Sequence, residues 1–101
     1  MDLVYASLMR RSPAGALRVG EAAEVVGALW AHATPGDGLE HACARSEFDR
    51  IDLLIFLLAQ GPEAPAECSA TQRVDVLLAR CHRASPLLHR HFVAPDSAPG
   101  H

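Results

Sequence analysis

The residues best suited to chemistry are six histidines and three cysteines. Cys81 and His82 are adjacent, His89 and His91 follow, and His41 and Cys43 sit mid-chain. Zinc takes such ligands. A helical pair, however, needs its ligands three or four residues apart, and a Ser85-Pro86 break separates His82 from His89. His89-x-His91 does not share a helical face. His82, His89 and His91 are thus weak metal candidates, better explained as helix-end histidines that complement the dipole at a C-terminus. No metal or other cofactor is expected.

A thiol nucleophile beside an imidazole is a second possibility. With this many histidines and cysteines a Cys–His pair is easily proposed, but no nucleophile elbow and no glycine-rich oxyanion loop accompanies it. Cys43 and Cys81 read as small core hydrophobes, and Cys68 as the exposed thiol. Three scattered cysteines without a C-x-x-C pair argue against a disulfide scaffold. Glu47, Asp49 and Asp52 form an acidic group, which local pairing with Arg45 and Arg50 explains without a catalytic dyad. Neither phosphate-binding glycine motif occurs. The chain carries no complete catalytic set, and the expectation leans away from an enzyme.

Nucleic acid is a poor match. The formal net charge is −3, the wrong sign for a polyanion. Helices at 71–83 and 86–92 resemble a helix-turn-helix only superficially, since the second is short and offers one arginine. All nine basic residues are arginine, with no lysine and no asparagine, a bias that fits a high-GC bacterial genome. Residues 19–68 hold nine acids and two arginines, a net of −7, and the flanks are basic. Internal pairing of the acidic middle with those flanks is the favoured reading; two faces of opposite sign is the other.

The elements that position these residues are read as helices. Among 101 residues there are 18 Ala and 13 Leu but only 7 Val and 2 Ile, a composition that favours helix over strand. Residues 2–11 suit a short helix. Leu-Val-Tyr is β-prone, but no second convincing strand is found to pair with it. Residues 21–33 form an amphipathic helix with Val25, Val26, Leu29 and Trp30 on its stripe, acids in its first turn, and a stop at Thr34–Gly38. A short helix is expected at 39–45. Ser46 and Asp49 suggest a capping box for a helix at 47–60, apolar on every side from Leu53 onward. Ser69 or Thr71 caps a helix at 71–83, and Ser85-Pro86 starts a last one at 86–92.

The expected fold is therefore all-α: a compact bundle of four to five short helices around a central apolar helix, 47–60. Residues 1–93 form one helical domain and 94–101 a disordered tail. The longest apolar run, Leu53 to Ala59, is too short to span a bilayer. Without a secretory pattern at its start, the chain is expected to be cytoplasmic, with no membrane partner.

An apolar helix too large for a small bundle to hide points to a partner. The expected function is a small helical protein–protein interaction module, an accessory or regulatory subunit or a self-associating domain. Its partner is another protein chain or itself. Leu53, Phe56 and Leu57, with Trp30 nearby, would supply buried area, and Arg73, Arg80 and Arg83 orientation. The alternative is a small-ligand or metal-binding sensor with Trp30 lining a pocket.

Overall fold

The computed structural model describes residues 1–12, 19–59 and 69–95. The expected disordered tail and the thiol of Cys68 lie largely or wholly outside them. The chain order is β1 (Asp2–Met9), α1 (Glu21–His32), β2 (Leu39–Ser46), β3 (Arg50–Leu57), α2 (Ala70–Ala84) and α3 (Pro86–His91), with a single 3-10 turn at Pro35–Asp37. The expected all-α bundle is wrong: the three strands form one antiparallel sheet in the order β1-β3-β2.

The central helix expected at 47–60 is in fact a hairpin loop followed by β3. Ser46, Glu47 and Asp49 do not start a helix. They turn β2 into β3, and Glu47 N–H donates to the Arg50 carbonyl at 2.8 Å. The short helix expected at 39–45 is β2, and the one expected at 2–11 is β1. The physical reason lies in β3. Ile51, Leu53, Ile55 and Leu57 point to the helices and are fully buried. Leu54 and Phe56 point the other way and are apolar too, so period-2 alternation vanishes into a continuous apolar run. Such a run fits a buried helix and a central strand equally.

The three helices form as their patterns predict. Gly20 precedes α1 with φ of +81°, a backbone conformation glycine adopts without penalty. At α2, Ser69 Oγ accepts from the Gln72 N–H at 3.2 Å, and the Gln72 side chain reaches back to the Ser69 N–H at 3.1 Å. Ser85 closes α2, its N–H donating to the Cys81 carbonyl. It also opens α3, accepting from the Leu88 N–H ahead of Pro86 at the first helical position.

All helices cover one face of the sheet. Val4 and Leu8 of β1, Ala42 of β2 and the inward residues of β3 pack against Val25, Leu29, Val74, Leu77, Leu78, Cys81 and Leu88. Phe92 seals the end of β1. Two ionic nodes tie the layers. Arg10 donates bidentately to Glu21, both bonds at 2.6 Å. Its Nε donates to the Glu47 carbonyl, and its guanidinium lies 5.4 Å from the Phe92 ring centroid. Glu21 also accepts from Ser46 Oγ, so one buried carboxylate joins α1, β1 and β2. The hydrogen bond from Arg10 to Glu21 raises the guanidinium pKa further, against the effect of burial. At the other end, Asp37 accepts from Arg80 at 2.7 Å and from the Thr34 N–H at 2.6 Å.

Candidate functional site

The second face of the sheet is open. No described element covers it, and its side chains fall into four rows set by strand register. The first row is Leu3, Phe56 and His41; the second is Tyr5, Leu54 and Cys43. The third is Ser7, Asp52 and Arg45, and Met9 and Arg50 begin the fourth. Side chains alternate across a pleated sheet, so the residues buried on β3 and those in these rows interleave one by one.

The first two rows are apolar and aromatic. Leu3 is 58% and Tyr5 66% exposed, and both stand on the edge strand β1. Leu54 and Phe56 are half-buried by their neighbours. The His41 ring lies 5.5 Å from that of Phe56, and its Nε2 is 3.2 Å from Cys43 Sγ. The imidazole and thiol thus share a hydrogen bond on exposed surface. An imidazole at this distance can take a thiol proton. No donor is placed to hold an oxyanion beside them, and His41 is set by ring packing on Phe56.

Apart from Met9, the last two rows are polar and internally satisfied. Asp52 Oδ1 accepts from Ser7 Oγ and from Arg50 Nε, each at 2.8 Å. The Ser7 hydroxyl, followed by the Arg50 guanidinium, holds the Asp52 carboxyl below its usual range. Arg50 also reaches Asp49 at 2.9 Å, and Arg45 pairs with Glu47 at 2.7 Å. A shallow depression of about 470 Å³ lies between Tyr5, Cys43, Arg45, Arg50, Asp52 and Leu54. Both arginines beside it are already committed to carboxylates, which leaves no ready cradle for an anion.

The residues expected to form an interface are separated by the fold. Phe56 lies on the open face. Leu53 and Leu57 are fully buried in the core beneath the helices. Trp30 is 47% exposed on α1, beside a second depression with Pro35, Leu39 and Leu58. Arg73 and Arg80 act inside the domain. Arg73 donates to the Leu58 carbonyl and pairs with Asp2, and Arg80 pairs with Asp37 and donates to the His32 carbonyl. Arg83 is exposed.

Two of the three weak metal candidates, His82 and His89, have other partners. His82 is buried, and its Nε2–H donates to the Phe92 carbonyl at 2.9 Å. The Ser85-Pro86 turn folds α3 back so that the His89 ring lies 5.2 Å from that of His82. Among the described residues no three His, Cys, Asp or Glu side chains are grouped to hold a metal ion. Nor, among them, is any helix long and apolar enough to cross a membrane.

Leu3, Tyr5, Met9 and Leu54 were not singled out from sequence. Their signal was the β-prone start of β1 and the alternation of Val4, Ala6 and Leu8 with Leu3, Tyr5 and Ser7. It becomes decisive only once β3 is recognised as a strand. Comparison of the chain with protein-family models, curated proteins and solved structures returns no match.

Proposed function

We propose that this chain is a small interaction module that binds another protein chain on the open face of its sheet. One observation carries the reading: the described helices cover one face only, and the other presents two contiguous apolar rows, Leu3–Phe56–His41 and Tyr5–Leu54–Cys43. An exposed apolar patch bordered by polar residues marks a partner site. Aromatic anchors with a charged rim are the composition that interfaces favour. The rim here is the Arg50–Asp52 and Arg45–Glu47 pairs. Because those charges neutralise one another, the fitting partner brings apolar side chains to the upper rows and has no need of strong charge.

Site-specific photo-crosslinkers in the cells of origin test this. Placed at Tyr5 or Phe56, they should trap one discrete protein adduct. Placed at Val76 or Arg83, on the helical side, they should not. Adducts from the helical side alone would refute the reading.

A small ligand in the depression between Tyr5, Arg45 and Arg50 is the second reading. It is disfavoured by the depression's breadth on an open sheet, since small-molecule sites bury most of the ligand.

A further inference from the structure

The described arginines divide into two groups. Five hold a carboxylate: Arg10 with Glu21, Arg45 with Glu47, Arg50 with Asp49 and Asp52, Arg73 with Asp2, and Arg80 with Asp37. Arg11, Arg83 and Arg90 hold none among the described residues. Two of these three, Arg11 and Arg90, border one small depression of about 110 Å³, together with Ser12 and His91. Arg10 borders it as well, but Glu21 neutralises that charge. A chain of formal net charge −3 thus pairs most of its described arginines and sets two unpaired ones side by side.

The depression lies on a seam where the end of β1 meets the end of α3. Arg11 N–H donates to the His91 carbonyl at 3.0 Å, Val93 N–H donates to the Met9 carbonyl at 2.8 Å, and Arg10 bridges to Phe92. Both backbone segments are therefore fixed relative to each other. Arg11 Nε donates to the His89 carbonyl at 3.0 Å. That bond orients the guanidinium and leaves its two terminal nitrogens without a described partner. Arg90 makes no side-chain hydrogen bond among the described residues. Basic residues do suit the C-terminal turn of a helix. Here, however, the carbonyls of Leu88, His89 and His91 already accept from Phe92 N–H, Arg11 Nε and Arg11 N–H. Capping of α3 accounts for neither the terminal nitrogens of Arg11 nor the guanidinium of Arg90.

Two cations with nothing between them repel, and an anion between them reverses the sign. The depression beside Arg45 and Arg50 differs on this point, since its arginines are spent on carboxylates. A guanidinium fork takes a pair of oxygens. A carboxylate has oxygens for one fork, whereas a phosphate group has enough for two. About 110 Å³ suits one such group with the rest of its molecule in solvent. A nucleic acid would need a stripe of cations to follow successive phosphates, and the seam offers a single pair.

We propose that this seam binds a phosphate group, as the free ion or as a small phosphate monoester. Arg11 and Arg90 clamp its oxygens from the two segments, and the Ser12 hydroxyl and a ring N–H of His91 supply neutral donors at the rim. The site goes beyond the function proposed above, because it lies at the end of β1 and α3 and not on the open face of the sheet.

Titration of the full chain at constant ionic strength, followed by ¹H–¹⁵N NMR, tests this with inorganic phosphate, glycerol phosphate and acetate as probes. Holding ionic strength fixed removes general screening of exposed charges. Phosphate should give saturable shifts at Arg11, Ser12 and His91, with a dissociation constant below about 5 mM, and acetate should bind about 10-fold more weakly or less well still. Glycerol phosphate binding as tightly as inorganic phosphate, or tighter, assigns the site to a monoester; binding of inorganic phosphate alone assigns it to the free ion. Arg90→Gln, at an exposed and unbonded position, should weaken phosphate about 10-fold with the circular dichroism spectrum intact, and Arg11→Gln should do the same. Arg83→Gln removes an equal charge from outside the depression and should change affinity less than about 2-fold. Shifts that never saturate, or acetate that binds as well as phosphate, overturn the proposal. Equal losses from Arg83→Gln and Arg90→Gln overturn it too, because they mark diffuse charge and not a site. The photo-adducts at Tyr5 and Phe56 are independent of every one of these results.

Discussion

Replacing Glu21 with alanine removes the one carboxylate that, among the described residues, bonds to the Arg10 guanidinium, and the structure sets the size of the effect. The two side chains are 3% and 1% exposed, so water does not screen the pair and cannot easily replace the lost partner. Breaking a buried ion pair by deleting one member costs about 3–5 kcal/mol, because the other charge stays buried. Arg10 keeps the Glu47 carbonyl and the Phe92 ring, which favours the lower end. Ser46 Oγ loses its acceptor as well, which returns about 1 kcal/mol to the cost. The expected loss is about 4 kcal/mol, a large share of the roughly 5–15 kcal/mol that stabilises a domain. Urea denaturation followed by circular dichroism measures it as a fall in midpoint at constant slope. Glu21→Gln keeps the volume and should lose nearly as much, which separates charge from cavity. The double change Arg10→Met with Glu21→Leu should recover most of the loss, since apolar residues of similar size often replace a buried pair without penalty. A loss below about 1 kcal/mol for Glu21→Ala would refute the claim that the pair is buried and essential.

Acid sensitivity should centre on Asp37. Burial pushes its carboxyl up, but hydrogen bonds from Arg80 and from the Thr34 N–H and hydroxyl outweigh this and leave it below 3.8. A depressed carboxyl stabilises the fold above its unfolded pKa, and that stability fades as pH falls through the folded value, so the loss begins below about pH 4. Asp37→Asn should flatten the thermal midpoint against pH in that range and cost about 2 kcal/mol at neutrality. An unchanged acid slope would count against it. Of the described thiols, Cys43 should alkylate in the native protein, whereas Cys81, whose pKa burial pushes up to about 11, should react only when urea opens the core; peptide mapping by mass spectrometry distinguishes them. Adjacent leucines on β3 should differ sharply. Leu53→Ala should lose about 2–5 kcal/mol and Leu54→Ala less than about 1 kcal/mol, and equal losses would contradict the strand register.

Helices were legible because their ends are written in local chemistry. Ser69 with Gln72, Ser85 with Pro86, and the acids that open α1 act within a few residues of themselves. Strands were not, because a strand is defined by its neighbours. β2 reads LEHACARS, whose alanines and single arginine suit a helix equally well, and only pairing with β3 holds it extended. Glu21 shows a similar limit inside a correctly read element. The sequence places it in the first turn, where a helix dipole favours an acid. Its ion pair with Arg10 depends on β1 ending beside α1, and only the assembled fold shows that. Of the open face, Phe56, His41 and Cys43 stood out in the sequence, each for a separate reason; that they are neighbours follows only from the sheet register.

The feature that concealed the sheet is the same one that points to a partner. A strand with one dry face and one wet face alternates, and alternation would have separated β3 from a helix. β3 alternates only through Arg50, Ile51, Asp52 and Leu53; from there on its outward residues Leu54 and Phe56 are as apolar as its inward ones. An apolar outward row is a liability for solubility and for edge-to-edge association unless something covers it. The helices supply one wall of β3, and no described element supplies the other. Outward apolar side chains also occur on β1, where Leu3, Tyr5 and Met9 are all substantially exposed. On β2, by contrast, His41 and Arg45 point outward. The apolar character thus grades across the sheet toward β1. That gradient is what a surface completed by another chain requires, and it places the first contact to be tested at Tyr5.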